Sequence, residues 1–224
     1  MLQPIQKKII LAFWLLALLD ITGIISDFEL LHYAAKPLLI PVLMLLLFFT
    51  ATAVKGKTIL LTALFFSWLG DVLLLFEWKH ELFFIFGLIC FLTTHIFYIL
   101  YFLRVRSVNS SLLKKYPVLL AVVPAYGIAL VWLLYPHLGD LKLPVIVYAA
   151  VICSMLLCSL HIFLKVNKKA AGYYLWGATA FVVSDSLLAI NKFYQPFAYA
   201  AVFIMLTYCA AQYFIVRGYI EQKI

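Results

Sequence analysis

The sequence predicts an all-α integral membrane protein, a bundle of about eight transmembrane helices with both termini in the cytoplasm. Of its 224 residues, 67% are hydrophobic and only 12% are charged. A soluble domain of this length could not bury that much apolar surface behind so few charges, so the solvent has to be lipid. Each crossing of ~30 Å of hydrocarbon takes about 20 residues. We therefore expect one transmembrane domain over residues 1–224, with no separate soluble part.

Eight apolar runs separated by short polar segments give the individual spans. Proline supports four of the boundaries, because Pro37, Pro117, Pro144 and Pro196 would each fall in the first turn of a span. A missing N–H does no harm in that turn. The predicted spans lie near residues 9–26, 36–54, 58–76, 82–103, 116–134, 143–164, 170–190 and 196–216.

The basic residues predict the orientation of the chain. With an even number of spans, both termini and every second loop lie on one side of the membrane. Cytoplasmic loops are enriched in Lys and Arg, and of the 17 such residues only Lys36, Lys79, Lys142 and Lys192 lie on the side opposite to the termini. Both termini are therefore predicted to be cytoplasmic. This topology also explains the net charge of +8, so we expect no nucleic acid partner.

Neither the cysteines nor the histidines show the spacing of a metal site. The four cysteines lie inside apolar runs without a CxxC pair, as inert buried thiols do. His95 and His161 lie within spans, and we place His32, His80 and His137 in outer loops. No cluster of three histidines with zinc geometry results. We therefore expect no metal ion and no cofactor.

Ionisable side chains inside the spans are the main functional candidates, because a charge in hydrocarbon is costly unless it is paired or hydrated. Asp20, Asp71 and Asp185 lie toward the outer ends of spans one, three and seven. Lys36 begins span two on that side, and Lys192 closes span seven there. All five thus fall in the same outer layer of the membrane, which predicts a shared polar cavity. The alternative is that Asp–Lys pairs merely cross-link helices.

His95 lies nearer the middle of the bilayer than the aspartates. Its imidazole could be a ligand, a proton relay or a hydrogen-bonded core group, and we favour a role in the cavity. Gly87, Phe91, His95 and Tyr98 recur about once per turn, so they share one face of span four. A small residue beside polar ones permits close approach of another helix.

Five ordered elements along the chain together resemble a known family. They are Lys36-Pro37-Leu38, Ser67 with Gly70-Asp71, Phe86-Gly87-Leu88 through His95 to Tyr98, Gly177-Ala178 through Phe181 to Ser184-Asp185, and Thr207-Tyr208 with Ala211-Gln212. The chain resembles the YhhN family of lysoplasmalogenases over nearly its whole length. The resemblance implies a membrane hydrolase that cleaves the vinyl ether bond of a lysoplasmalogen to a fatty aldehyde and a glycerophospho-base. The positions that it carries over are Lys36, Asp71, His95, Tyr98, Ser184, Asp185, Tyr208 and Gln212.

The chemistry of this reaction fits two carboxyl groups. A vinyl ether hydrolyses when an acid protonates its β-carbon and water captures the resulting oxocarbenium ion. One protonated acid and one ionised carboxylate are needed, as in glycosidases. Asp71 and Asp185 could supply both, because two nearby carboxyl groups in a low-dielectric cavity do not both ionise cheaply. Which of them is the acid stays open.

The single-chain lysophospholipid needs polar contacts at one end and apolar ones at the other. Lys36 or Lys192 could bind its phosphate, although either could instead stabilise the ionised form of an aspartate. Apolar walls between helices would hold the chain. The predicted substrate-binding residues are Lys36, His95, Tyr98, Ser184, Lys192, Tyr208 and Gln212, and Tyr148 is a further candidate for a hydrogen bond to the headgroup or to water.

Three other functions compete with this hydrolase. An intramembrane aspartyl protease also needs two aspartates, but no Tyr-Asp pair and no Pro-Ala-Leu element occurs in the chain. A proton-coupled transporter of a small or lipidic solute could use Asp71, His95 and Asp185. Transport predicts polar residues toward both faces, whereas the cytoplasmic halves hold little beyond Ser159 and His161. A structural scaffold leaves the buried aspartates unexplained. In a bacterium, the multi-pass protein would lie in the inner membrane.

Overall fold

A computed structural model of the chain describes residues 2–50, 55–105 and 111–222. Within these ranges all regular secondary structure is helical, and eight helices are long and apolar enough to cross a membrane. The predicted fold class, an all-α membrane protein with about eight transmembrane helices, is confirmed. The cytoplasmic location of the termini stays a prediction.

Each long helix overlaps one predicted span. A short helix, α5, precedes α6, two 3₁₀ turns (Tyr135–His137 and Gly139–Leu141) connect α6 to α7, and a π-helical turn (Ile190–Tyr194) extends α8. Residues 51–54 of the second predicted span lie outside the described ranges. The helices are α1 (Pro4–Ile25), α2 (Glu29–Phe48), α3 (Lys57–Leu74), α4 (Glu81–Val105), α5 (Leu112–Lys115), α6 (Leu119–Leu134), α7 (Lys142–Ile162), α8 (Lys168–Ala189) and α9 (Ala200–Glu221).

The chain divides into two compact units, residues 1–98 and 99–223. The first contains α1, α2, α3 and α4 as far as Tyr98, and the second contains the end of α4 and all later helices. Each unit has its own fully buried apolar side chains, such as Leu43 in the first and Phe181 in the second. That the whole chain forms one transmembrane domain stays a prediction.

In the first unit, α1 and α2 form a tight antiparallel hairpin. Gly23 makes this possible, because a Cβ there would lie only 2.8 Å from the backbone nitrogen of His32. The prediction that His32 lies in an outer loop is wrong, since this residue belongs to α2. Its Nδ1 lies 2.7 Å from Oδ1 of Asp20, whose side chain is fully buried. The turn between α1 and α2 covers only residues 26–28, so His32 falls within α2.

The prediction that Pro37 begins the second span is also wrong, because α2 starts at Glu29 and contains both Pro37 and Pro41. Pro41 has no N–H to donate to the carbonyl of Pro37, which would normally leave that oxygen unpaired. The indole Nε1 of Trp68 on α3 donates to this carbonyl instead, at 3.0 Å. A neighbouring helix thus satisfies the freed backbone group, as membrane interiors require.

Candidate active site

In the second unit, Asp185 lies near the end of α8 and contacts Tyr148 of α7. The Tyr148 hydroxyl donates a hydrogen bond of 2.6 Å to Oδ2 of Asp185. Both side chains are half-buried in helices that qualify as membrane spans. A hydroxyl that donates to a carboxylate fixes the orientation of that carboxylate and offsets its charge.

A second polar pair lies beside the first. Tyr126 of α6 donates a hydrogen bond of 2.8 Å to Oγ of Ser186, the residue after Asp185. The four side chains line one cavity of about 50 Å³, whose remaining walls are mostly apolar. That volume has room for at least one water molecule, which polar groups can hold. The site can therefore place water next to a carboxylate inside the membrane.

The other predicted residues of the second unit lie on α8 and α9. Ser184 donates its hydroxyl to the backbone carbonyl of Ile204, at 3.1 Å, which ties the two helices together. On α9 the buried side chain of Gln212 donates from Nε2 to the hydroxyl of Tyr208, at 3.3 Å. Lys192 lies in the π-helical turn that follows α8. Substrate binding by these four residues stays a prediction.

In the first unit, Asp71 lies in the last turn of α3 and is only 2% exposed. Glycines bring α3 and α4 close together around it. A Cβ at Gly70 would lie 2.8 Å from the ring of Phe91, and one at Gly87 would lie 2.8 Å from the side chain of Leu74. The two glycines of the family motifs thus allow the packing that buries Asp71.

His95 and Tyr98 lie on α4 and are fully buried. The neighbouring Thr94 donates to the backbone carbonyl of Ala63, which fixes α4 against α3 at this level. The two aspartates belong to different units, Asp71 to the first and Asp185 to the second. A polar cavity that both share stays a prediction.

Lys36 lies farther along its helix than the sequence predicted. It is the eighth residue of α2 and not the start of a span, and its side chain is half-buried. Within the described ranges its ammonium group makes no hydrogen bond or ion pair. An ammonium group at this depth whose charge is not matched by a carboxylate can bind a phosphate as a point charge.

Sequence reasoning missed two contacts, one in each unit. It predicted neither the Asp20–His32 pair nor the Tyr126–Ser186 pair, and it pointed to Tyr148 without linking it to Asp185. The available signals were weak: Ser186 adjoins Asp185, and Tyr126 and Tyr148 are tyrosines inside apolar runs. Tyrosine is common near membrane interfaces for other reasons.

Comparison with known proteins supports the identification. A model of the YhhN family matches residues 31–219. Lysoplasmalogenase TMEM86B of Sus scrofa is 34% identical over 79% of this chain and 70% of its own length, and lysoplasmalogenase TMEM86A of Bos taurus is 31% identical over 75% and 68%. A lysoplasmalogenase of Mycobacterium tuberculosis is 32% identical over 71% of this chain and 59% of its own length. No solved structure matches the chain.

These relatives are enzymes, which confirms the prediction of an enzyme. The matched segment contains all five sequence elements from Lys36 to Gln212. The eight apolar helices agree with a multi-pass membrane protein. This chain therefore belongs to the YhhN family.

Proposed function

We propose that this protein is a lysoplasmalogenase, an ether hydrolase that cleaves the vinyl ether bond of a lysoplasmalogen to a fatty aldehyde and a glycerophospho-base. One observation carries the proposal: relatives at 31% to 34% identity over most of the chain bear that name. The buried carboxyl groups of Asp71 and Asp185 support it, because acid/base chemistry on a lipid needs such groups inside the membrane. In a bacterial cell the protein would act in the inner membrane.

The reaction divides into two steps. A protonated carboxyl group transfers its proton to the β-carbon of the vinyl ether, and the adjacent carbon becomes an oxocarbenium ion. Water then adds to that carbon while a carboxylate accepts the proton of the water. The roles then reverse in the collapse of the hemiacetal: the first group, now a carboxylate, takes the hydroxyl proton, and the second, now a carboxylic acid, protonates the leaving glycerol oxygen, which gives the aldehyde and the free glycerol hydroxyl. Each turnover consumes one water molecule and returns both carboxyl groups to their starting protonation states.

We assign the water-orienting role to Asp185 and the acid role to Asp71. The small cavity beside Asp185 supports the first assignment, because it has room for water and a tyrosine hydroxyl that positions the carboxylate. The other carboxyl group, Asp71, then supplies the proton. The positive charge of the oxocarbenium ion would then lie near an ionised Asp185, which lowers the barrier.

Binding of the substrate requires a cation for its phosphate. Lys36 fits that role through its half-buried ammonium group, and Lys192 is a second candidate near the end of α8. His95, Tyr98, Ser184, Tyr208 and Gln212 are proposed to orient the headgroup or the vinyl ether by hydrogen bonds.

The decisive experiment compares two lipids of matched headgroup and chain, a lysoplasmenyl lipid and its lyso-acyl counterpart. Purified protein in detergent should release aldehyde from the first and no fatty acid from the second. Release of fatty acid alone would identify an esterase. Release of neither product would overturn the proposal and favour the proton-coupled transporter, for which uptake in proteoliposomes is the direct assay.

A further inference from the structure

An open groove runs between α6 and α7 in the second unit. Its volume is about 660 Å³, within the range of small-molecule sites. The walls are almost entirely apolar, with Val131 and Ile146 near one end and Pro124, Ile128 and Leu157 toward the other. Such a groove suits a hydrocarbon chain and offers little to a polar solute.

The groove adjoins the cavity of Asp185. Gly127, Val131, Ala149 and Cys153 line both, so only these residues separate the two spaces. Gly127 keeps the helices close at this point, because a Cβ there would lie 2.7 Å from Sγ of Cys153. The groove and the cavity of Asp185 are therefore neighbours on the two sides of the seam between α6 and α7, and Asp185 itself lines only the cavity.

The length of the groove matches one leaflet of a bilayer. On α7 its lining extends from Ile146 to Leu157, and eleven residues of α-helix span about 16 Å. That is about half of the ~30 Å hydrocarbon thickness. A single lipid chain lying along the groove would thus reach from the membrane surface to the bilayer middle.

The two ends of the groove differ in polarity. Trp132 and Tyr135 lie at one end, and the ammonium group of Lys142 lies 4.8 Å from the centre of the Tyr135 ring. Lys142 is exposed and makes no ion pair within the described ranges. Tyr148, the partner of Asp185, follows Ile146 by two residues and so lies at this same end. A cation and amphipathic rings therefore lie where the groove begins, and the candidate carboxylate lies at about the same level in the neighbouring cavity.

A single-chain ether lysolipid has the same order of groups: a phosphate, then the ether bond, then the chain. We propose that the groove between α6 and α7 holds the hydrocarbon chain of this lipid, with its ether bond level with Asp185 and its polar headgroup toward the end of the groove at Tyr135 and Lys142. The identity of the lipid rests on the proposed function. The groove opens between helices, so the substrate enters sideways from the membrane.

The first test measures chain-length selectivity with a plug in the groove. Ser154 lines the groove about 12 Å from Ile146 along α7, so the side chain in Ser154→Phe would occupy the space of the distal chain. The value of kcat/KM should fall about tenfold for a hexadecenyl substrate and little for an octenyl one. The matched control is Ala129→Phe, an exposed alanine of α6 outside both linings. An equal loss for both chain lengths, or no loss for either, overturns the proposal.

The second test does not depend on catalysis. Two single-tryptophan proteins retain either Trp132, in the groove, or Trp176, which is 65% exposed on α8 and lines neither cavity. The probe is a saturated 1-O-alkyl glycerophosphocholine with a brominated chain, which quenches nearby indoles. It should quench Trp132 at several-fold lower concentration than Trp176, and excess unbrominated lipid should reverse the effect.

The outcomes distinguish failure of the groove proposal from failure of the proposed hydrolase activity. Equal quenching of Trp132 and Trp176 would mean that ordinary membrane lipid covers the groove, and it would overturn the inference. Absence of quenching at Trp132 in a dimeric protein would assign the groove to a second copy of the chain, with the same consequence. Selective quenching of Trp132 in a protein that releases no aldehyde would support the groove and reject the proposed reaction.

Discussion

The hydroxyl of Tyr148 lies 2.6 Å from Oδ2 of Asp185, and this contact joins α7 to α8 beside a cavity with room for water. Tyr148→Phe removes the hydrogen bond and keeps the ring. A hydrogen bond to a charged group contributes about 1.5–3 kcal/mol, so kcat for aldehyde release should fall tenfold or more. Steady-state kinetics with a lysoplasmenyl lipid measures the effect.

The control for this variant is Tyr173→Phe. Tyr173 also lies in the second unit, where its ring is 5.4 Å from the Arg217 guanidinium group, and removal of its hydroxyl leaves that stacking in place. The Tyr173→Phe variant should retain kcat within about twofold, because a substitution away from the site changes little. A Tyr148→Phe enzyme as active as Tyr173→Phe would show that the contact with Asp185 has no part in catalysis.

Asp71→Asn and Asp185→Asn should each abolish aldehyde release. Each substitution preserves the size of the side chain but removes the group that gives or accepts a proton, and such steps contribute factors of about 10²–10⁴. Size-exclusion chromatography and thermal unfolding in detergent check that both variants fold. Full activity in either one would eliminate the mechanism with two carboxyl groups.

Lys36→Gln should raise KM several-fold and leave kcat nearly unchanged, because a phosphate contact made equally in the ground state and transition state is uniform binding. The effect should disappear with an alkenylglycerol that lacks the phosphate. Lys79→Gln is the control, since that ammonium group lies 4.8 Å from the Phe76 ring on the surface. A fall in kcat at constant KM would instead assign Lys36 to the chemical step.

The pair of Asp20, which is fully buried, and His32, which is half-buried, should contribute to stability as a unit. His32→Leu leaves a fully buried carboxyl group without this partner and should cost about 3 kcal/mol. The double variant Asp20→Leu with His32→Leu should lose less than His32→Leu alone, because it leaves no buried carboxyl group without its partner. Thermal unfolding in detergent measures both, and purely additive losses would contradict this coupling.

Packing of α8 against α9 should depend on Gly177. A Cβ there would lie 2.7 Å from the Ile215 side chain and about as near to backbone atoms, 3.0 Å from Ile215 N and 3.1 Å from Ala211 O. Gly177→Ala should therefore destabilise the protein by about 1–3 kcal/mol. Gly172→Ala is the matched control on the same helix, because a Cβ added there would meet no atom within 4 Å. A similar melting temperature for both variants would contradict the prediction.

Hydrophobicity and length alone predicted the eight spans, because a helix must cover the hydrocarbon thickness whatever it packs against. The start of α2 was missed by seven residues, since Pro37 has the local signature of a first turn. The contact from Trp68 on α3, which shows how the helix accommodates Pro41, was also not predictable from the local sequence. His32 was placed in a loop because the predicted start of the second span, residue 36, comes after it.

The candidate site was predictable residue by residue but not contact by contact. An aspartate in an apolar span is conspicuous because its cost demands an explanation, so Asp71 and Asp185 stood out. The partner of Asp185 did not, because nothing in the periodicity of α7 indicates that Tyr148 faces α8. Pairing between helices depends on tertiary packing, which a single sequence does not encode in any local pattern.

The hydrogen bond from Trp68 to the carbonyl of Pro37 makes two distant positions interdependent. The indole is needed only because residue 41 is proline and leaves that carbonyl without its usual donor. A homologue with any other amino acid at position 41 would restore the ordinary helical bond and could replace the tryptophan by phenylalanine without leaving that carbonyl unpaired. Positions 41 and 68 are therefore expected to covary during evolution, although neither belongs to the proposed chemistry.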